Sequence, residues 1–128
     1  MKIAIIGAGF AGLSAAKVLS ELSHTVTVLE KAADVGGVWS ATRRYPGLRT
    51  QNDKGTYSLS DLKMPRKYPQ WLQGSQVQQY LANYAEMFNL TPMLRLNTEV
   101  TEAAPDPAGG WNVTTAAGTE HYEHLVIA

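Results

Sequence analysis

The sequence predicts an α/β fold built on a parallel β-sheet, and three observations carry that reading. Lys2–Ile6 (KIAII) and Thr25–Leu29 (TVTVL) are short runs rich in β-branched residues, the composition of buried strands. Between them, residues 10–22 place Leu13, Ala16, Val18, Leu19 and Leu22 at helical spacing. A strand, a helix and a strand within about 30 residues form a βαβ unit, whose right-handed crossover makes the two strands parallel neighbours.

The later elements extend this unit. A second helix is predicted over residues 75–88, with Ser75 as N-cap and Val77, Tyr80, Leu81, Tyr84, Ala85 and Phe88 on one stripe. Met93–Leu96 reads as a third short strand. Residues 99–103, 111–115 and 119–122 then alternate in the β manner. They are separated by the turn signals PDPAGG and AAG, which predicts a three-stranded antiparallel meander over about residues 98–123. His124–Ala128 (HLVIA) has the continuous apolar character of a further buried parallel strand. From Glu30 to about Lys67 the chain is irregular, punctuated by Gly36, Gly37, Pro46, Gly47, Gly55 and Pro65. A connection of that length inside a compact domain is more often functional than idle.

Composition removes several function classes. The 128 residues suit one domain, and 45% hydrophobic with 17% charged residues argues for a folded chain. Eleven basic and eleven acidic residues cancel, so charge gives no support to a nucleic-acid or membrane-surface partner. With no cysteine there is no disulfide, thiolate metal site or cysteine nucleophile. The apolar start MKIAIIGAGFAG is broken by glycine too early for a secretory signal, and no stretch reaches transmembrane length. A cytoplasmic protein is the expectation. His121 and His124, three apart on a strand, point to opposite faces and do not converge on a metal. Tyr45, Tyr57 and Tyr68 interleave with Arg43, Arg44, Arg66 and Lys67, but the neutral net charge argues against a nucleic-acid surface.

The chemistry is concentrated in two short stretches. Gly7, Gly9 and Gly12 form G-x-G-x-x-G in GAGFAG, with Ala8, Phe10 and Ala11 between them, at the joint of the first strand and helix. The first glycine permits the tight turn, the second lets a pyrophosphate approach the backbone, and the third lets helix and strand pack closely. The free N–H groups and dipole of the helix N-terminus favour phosphate charge. Glu30 ends the second strand, where a carboxylate can accept hydrogen bonds from both ribose hydroxyls and repel a 2′-phosphate. This is a Rossmann-like dinucleotide site, and to this point it suits NAD and FAD equally.

The residues after Glu30 favour FAD. Glu30 with Gly36 and Gly37 resembles the E-x5-G-G extension of glutathione-reductase-type FAD-binding domains. With Trp39, the stretch GGVW resembles the G-G-x-W of flavin-containing and Baeyer–Villiger monooxygenases. YPGLRT (residues 45–50), YSLSD (57–61), MP (64–65) and YLANYAEMFNL (80–90) are also similar to flavin-containing monooxygenases, so the resemblance runs almost the whole chain. It implies a glutathione-reductase-type FAD-binding fold, in which a three-stranded meander replaces a crossover helix before the fourth parallel strand.

The resemblance also implies a set of FAD contacts. These are Gly7, Ala8, Gly9, Phe10, Ala11 and Gly12 in the loop, then Glu30, Lys31, Gly37, Val38 and Trp39, and further on Gln51, Asn52 and Val100. Trp39 can cover an aromatic ring of the cofactor or serve as a core tryptophan. Animal flavin-containing monooxygenases carry an asparagine near the flavin's reactive edge; an ungapped match puts Gln51 there and Asn52 one residue later. Arg49 reads equally as an ion-pair partner or an active-site cation. These three are the candidate catalytic residues.

In the family that this sequence resembles, NADPH reduces FAD, and oxygen adds to give a C4a-hydroperoxide. That species oxygenates nitrogen, sulfur or a ketone in small organic substrates. The second G-x-G-x-x-G and the F-x-G-x3-H-x3-(Y/F) fingerprint do not occur here, and HLVIA resembles the strand before the family's A-T-G turn. The expectation is therefore an incomplete fold: residues 1–128 are the N-terminal segment of an FAD-binding domain, with NADPH bound elsewhere in the polypeptide. The chain alone is expected to be inactive, to dock with the remainder of its own polypeptide, and to self-associate through uncovered apolar surface. The alternatives are an FAD oxidoreductase of the amine oxidase or desaturase type and a stand-alone dinucleotide-binding module.

Overall fold

The two β-branched runs form strands β1 (Lys2–Ile6) and β2 (Thr25–Leu29), joined by helix α1 (Phe10–Glu21). The computed structural model describes residues 1–128. A 3-10 turn at Gly37–Trp39 is the first regular feature after β2. Helix α2 spans Gly74–Met87, a second 3-10 turn spans Thr91–Met93, and β3 is the two-residue strand Leu94–Arg95. Strands β4 (Val100–Pro105), β5 (Trp111–Thr115) and β6 (Gly118–Tyr122) precede β7 (His124–Ile127).

The four-stranded sheet has the order β3-β2-β1-β7, with every pair parallel. Strands β4, β5 and β6 form a separate antiparallel sheet, with a register shift between Val100 and Glu102. The expected meander thus stands between the third and fourth parallel strands. Side-chain alternation divides the core into two layers. Ile5, Val26 and Val28 pack with Leu13 and Ala16 of α1 and with Val77, Tyr80, Leu81 and Tyr84 of α2. Ala4 and Leu29 face the other way, onto Val113 and Tyr122 of the meander. Helices, parallel sheet and meander make three layers. No helix is long and apolar enough to cross a membrane.

Several expectations are corrected. The N-cap of α2 is Gln73, not Ser75. Gln76 Oε1 accepts the N–H of Gln73 at 3.0 Å, and Gly74 N–H is held by the Leu48 carbonyl at 2.8 Å, so tertiary pairing sets where the helix starts. Val18 and Leu22 of the proposed α1 stripe are exposed, and only Leu13 and Ala16 of that stripe are buried. Met93 belongs to the 3-10 turn rather than to β3. Strand β7 pairs with β1 as expected but is not buried: Ile127 is 78% exposed, because β7 is the edge of the sheet. His121 and His124 fall on different strands, with Nε2 of the first bonded to the Gly109 carbonyl and that of the second beside Met1 Sδ.

The irregular segment after Glu30 is organised by side chains rather than by its own secondary structure. Thr50 N–H donates to the Leu72 carbonyl, and its Oγ1 accepts Leu72 N–H at 3.0 Å. Lys54 Nζ donates to the carbonyls of Arg66 and Tyr68. The buried Tyr80 hydroxyl accepts Leu59 N–H at 2.8 Å and donates to the Leu62 carbonyl. Lys17 on α1 pairs with Asp61 at 2.8 Å, tying the same segment to the first helix.

Candidate functional site

The loop between β1 and α1 turns tightly at Gly7, whose φ is +103°. A Cβ on Gly12 would stand 1.9 Å from the Gly7 carbonyl oxygen, so no side chain fits where α1 presses against the turn. At Gly9 an added Cβ would lie 3.6 Å from Gly37 Cα, an ordinary contact. The requirement for glycine there is therefore not internal crowding. It concerns the close approach of a ligand to the loop backbone, which a Cβ would obstruct. The first-turn amides of α1 have no acceptors within the helix. The N–H groups of Gly37 and Val38 likewise find no acceptor in the chain. Free amides around a glycine-lined gap are a donor set suited to phosphate and to polar edges of a planar ligand.

The GGVW turn is fastened directly to the loop. Gly36 N–H donates to the Ala8 carbonyl at 2.9 Å, and a Cβ added at Gly37 would lie 3.3 Å from Gly9 Cα. The buried Glu30 sits at the base of this junction, with Oε2 accepting Ala8 N–H at 2.7 Å and Oε1 accepting Ala32 N–H at 2.8 Å. Each carboxylate oxygen retains lone-pair capacity for a further donor. Glu30 lines a cavity of about 300 Å³ with Gly7, Lys31, Arg43, Thr98 and Val100. Strand ends of a parallel sheet and the start of the meander thus enclose one pocket, outside the carboxyl edge of the sheet where such folds place ligands.

The structure brings together most of the residues singled out in the sequence. Gly7, Glu30, Lys31 and Val100 share the cavity; Ala8, Gly9, Gly37 and Val38 belong to the junction above it. Phe10 and Trp39 meet through Tyr57, with ring centroids 6.2 and 5.8 Å from it, and Phe10 also packs on Tyr80. Trp39 is half-buried against the main core, so one indole serves the core and borders the junction. Arg49 lies apart. It lines a second open cavity of about 400 Å³ with Arg44 and Tyr45, and its Nη1 approaches the Trp71 carbonyl at 3.4 Å. Gln51 and Asn52 are exposed and line neither cavity.

Sequence reasoning missed Arg43 and Thr98 in the Glu30 cavity, and also Asp34 and Gln78, which hold the GGVW turn. None stands in a recurring pattern with the glycines. The one available signal was the position of Thr98 just after β3, where a parallel strand ends.

Comparison with known proteins agrees with this geometry. The family described as flavin-binding monooxygenase-like matches residues 1–126. An FAD-dependent monooxygenase of Pyrenophora dematioidea is 36% identical over 140 residues, covering 98% of this chain and 26% of that protein. A cyclohexanone 1,2-monooxygenase of Acinetobacter is 36% identical over 132 residues, covering 96% of this chain and 24% of that protein. Among solved structures, an oxidized steroid monooxygenase bound to NADP superposes with a TM-score of 0.89 at 32% identity, over 99% of this chain and 25% of that one. The chain spans about a quarter of the length of the relatives it matches. With a glycine loop, a buried carboxylate after β2 and a G-G-x-W turn joined at the carboxyl ends of the strands, the chain belongs to the flavin-binding monooxygenase-like family.

Proposed function

We propose that residues 1–128 form the FAD-binding segment of an NADPH-dependent flavoprotein monooxygenase acting on small organic substrates that carry an oxidisable nitrogen, sulfur or ketone. The observation that carries this reading is the junction of Ala8–Gly9 with Gly36–Gly37 above the buried Glu30. In it, Glu30 receives the ribose hydroxyls, and its charge disfavours a 2′-phosphate there. Lys31 and Val100 border the adenosine half, and the amides from Gly7 to Gly12 hold the pyrophosphate. Gly37, Val38 and Trp39 border the path toward the flavin ring. Bound FAD supplies the oxygen activation, while the chain binds, orients and excludes water. Arg49, Gln51 and Asn52 remain candidates for contact with substrate or the ring edge. NADPH binds outside residues 1–128, and a cytoplasmic location is part of the proposal.

Purification of the complete gene product tests the reading. A yellow protein whose flavin is bleached by NADPH and recoloured by air is the expected result. A colourless protein that cannot be reconstituted with FAD overturns it. Residues 1–128 alone should show no NADPH turnover.

A further inference from the structure

The GGVW turn is braced from behind by two side chains that belong to no glycine motif. Asp34 Oδ1 accepts the hydroxyl of the fully buried Ser40, and its Oδ2 accepts Ala41 N–H at 3.1 Å. One carboxylate thereby closes the two ends of the turn. From helix α2, 44 residues away, Gln78 Nε2 reaches the same Oδ2 at 3.4 Å and the Val35 carbonyl at 3.3 Å. Gln78 also presses on the turn, since a Cβ at Gly36 would meet its Cγ at 3.0 Å. Gly36 is thus held between Gln78 on one side and the Ala8 carbonyl on the other.

We propose that Gln78 and Asp34 are positioning residues that set the height of the Gly37 and Val38 amides over the phosphate loop, and so set the affinity for the flavin dinucleotide. The inference rests on the FAD reading above. A donor displaced by a few tenths of an ångström from its acceptor loses much of its interaction, because hydrogen-bond strength falls steeply with geometry. Both Gln78 contacts are long, so removing them changes stability little while freeing the turn to shift.

The test uses Gln78→Met, which keeps length and packing but donates no hydrogen bond, and Gln78→Glu, which sets a carboxylate against Asp34. In the complete gene product, FAD affinity is read by quenching of flavin fluorescence, and fold by thermal unfolding of the flavin-free protein. Gln78→Met should weaken FAD binding about 5- to 20-fold while Tm falls by less than about 3 °C. Gln78→Glu should weaken it further. A purely structural role would lower Tm in step with affinity. Wild-type affinity in Gln78→Met, or a loss of affinity matched by the fall in Tm, overturns the inference. Failure of the wild-type protein to take up FAD overturns the cofactor reading itself, and the inference with it.

Discussion

Gly36 donates its N–H to the carbonyl of Ala8 at 2.9 Å, which fastens the second glycine motif onto the first. Twenty-seven residues of intervening chain, including all of α1 and β2, are thereby closed into a single unit of site geometry. Substitutions in either motif should consequently act on the other.

The three loop glycines should fail in different ways. Gly12→Ala forces a Cβ to within 1.9 Å of backbone oxygen and should cost about 3 kcal/mol or more of stability, read by urea unfolding. Gly9→Ala meets only an ordinary 3.6 Å contact, so it should fold normally yet retain at least about tenfold less FAD. Normal flavin retention in a folded Gly9→Ala protein would show that the cofactor does not approach the backbone at Gly9.

Glu30→Gln should separate anchoring from recognition. The amide presents one donor where the carboxylate had two acceptors, leaving the N–H of Ala8 or Ala32 unpaired, a loss of roughly 1–3 kcal/mol in urea unfolding. Flavin content should drop beyond what that destabilisation explains. Unchanged flavin content in folded protein would remove the ribose assignment.

The Lys17–Asp61 pair should give stability a defined pH window. The hydrogen bond from Lys17 holds the Asp61 carboxyl below its ordinary value, and Asp61, followed by Glu21, raises the lysine. A depressed carboxylate contributes stability above its unfolded value of about 4, lost as pH falls through the folded value. A raised lysine contributes below its unfolded value of about 10.4 and is lost as pH rises through the folded one. In thermal melts, Lys17→Met should therefore lower Tm most between about pH 5 and pH 9, with the difference from wild type shrinking as pH falls below about 4 through the folded Asp61 value. A pH-independent difference would assign the effect to lost contact with Phe88, whose ring lies 4.8 Å from Nζ.

Tyr80→Phe removes a hydroxyl that serves both Leu59 N–H and the Leu62 carbonyl, and should cost roughly 1–3 kcal/mol. Burial raises the hydroxyl of Tyr80 above its ordinary value, and that of the neighbouring Tyr84 to about 12. Alkaline difference spectra should accordingly show these two rings ionising above the ordinary tyrosine value of about 10.

The parts legible in the sequence are those whose cause is local. Lys2–Ile6, Thr25–Leu29 and Trp111–Thr115 have the predicted ends because β-branched and aromatic residues fill pleated surfaces between strong turn signals. The glycine loop and Glu30 were readable because one βαβ unit contains them. What escaped was set from a distance. The start of α2 answers to Leu48, and the exposure of β7 to its place at the sheet edge. Asp34 and Gln78 have no periodic relation, and only the packing of α2 against the 3-10 turn brings them together.

The Tyr80 hydroxyl also imposes an order of assembly. The stretch from Leu59 to Leu62 takes its path from a ring carried by a helix that follows it in the chain. That stretch has no ladder of its own beyond one isolated bridge between Leu59 and Leu62. It must close onto α2 after the helix has docked, a non-local step with the corresponding loop-closure entropy. In pulse-labelled refolding, amide protection should reach Leu81 before Leu59; the reverse order would mean that the connection shapes the helix.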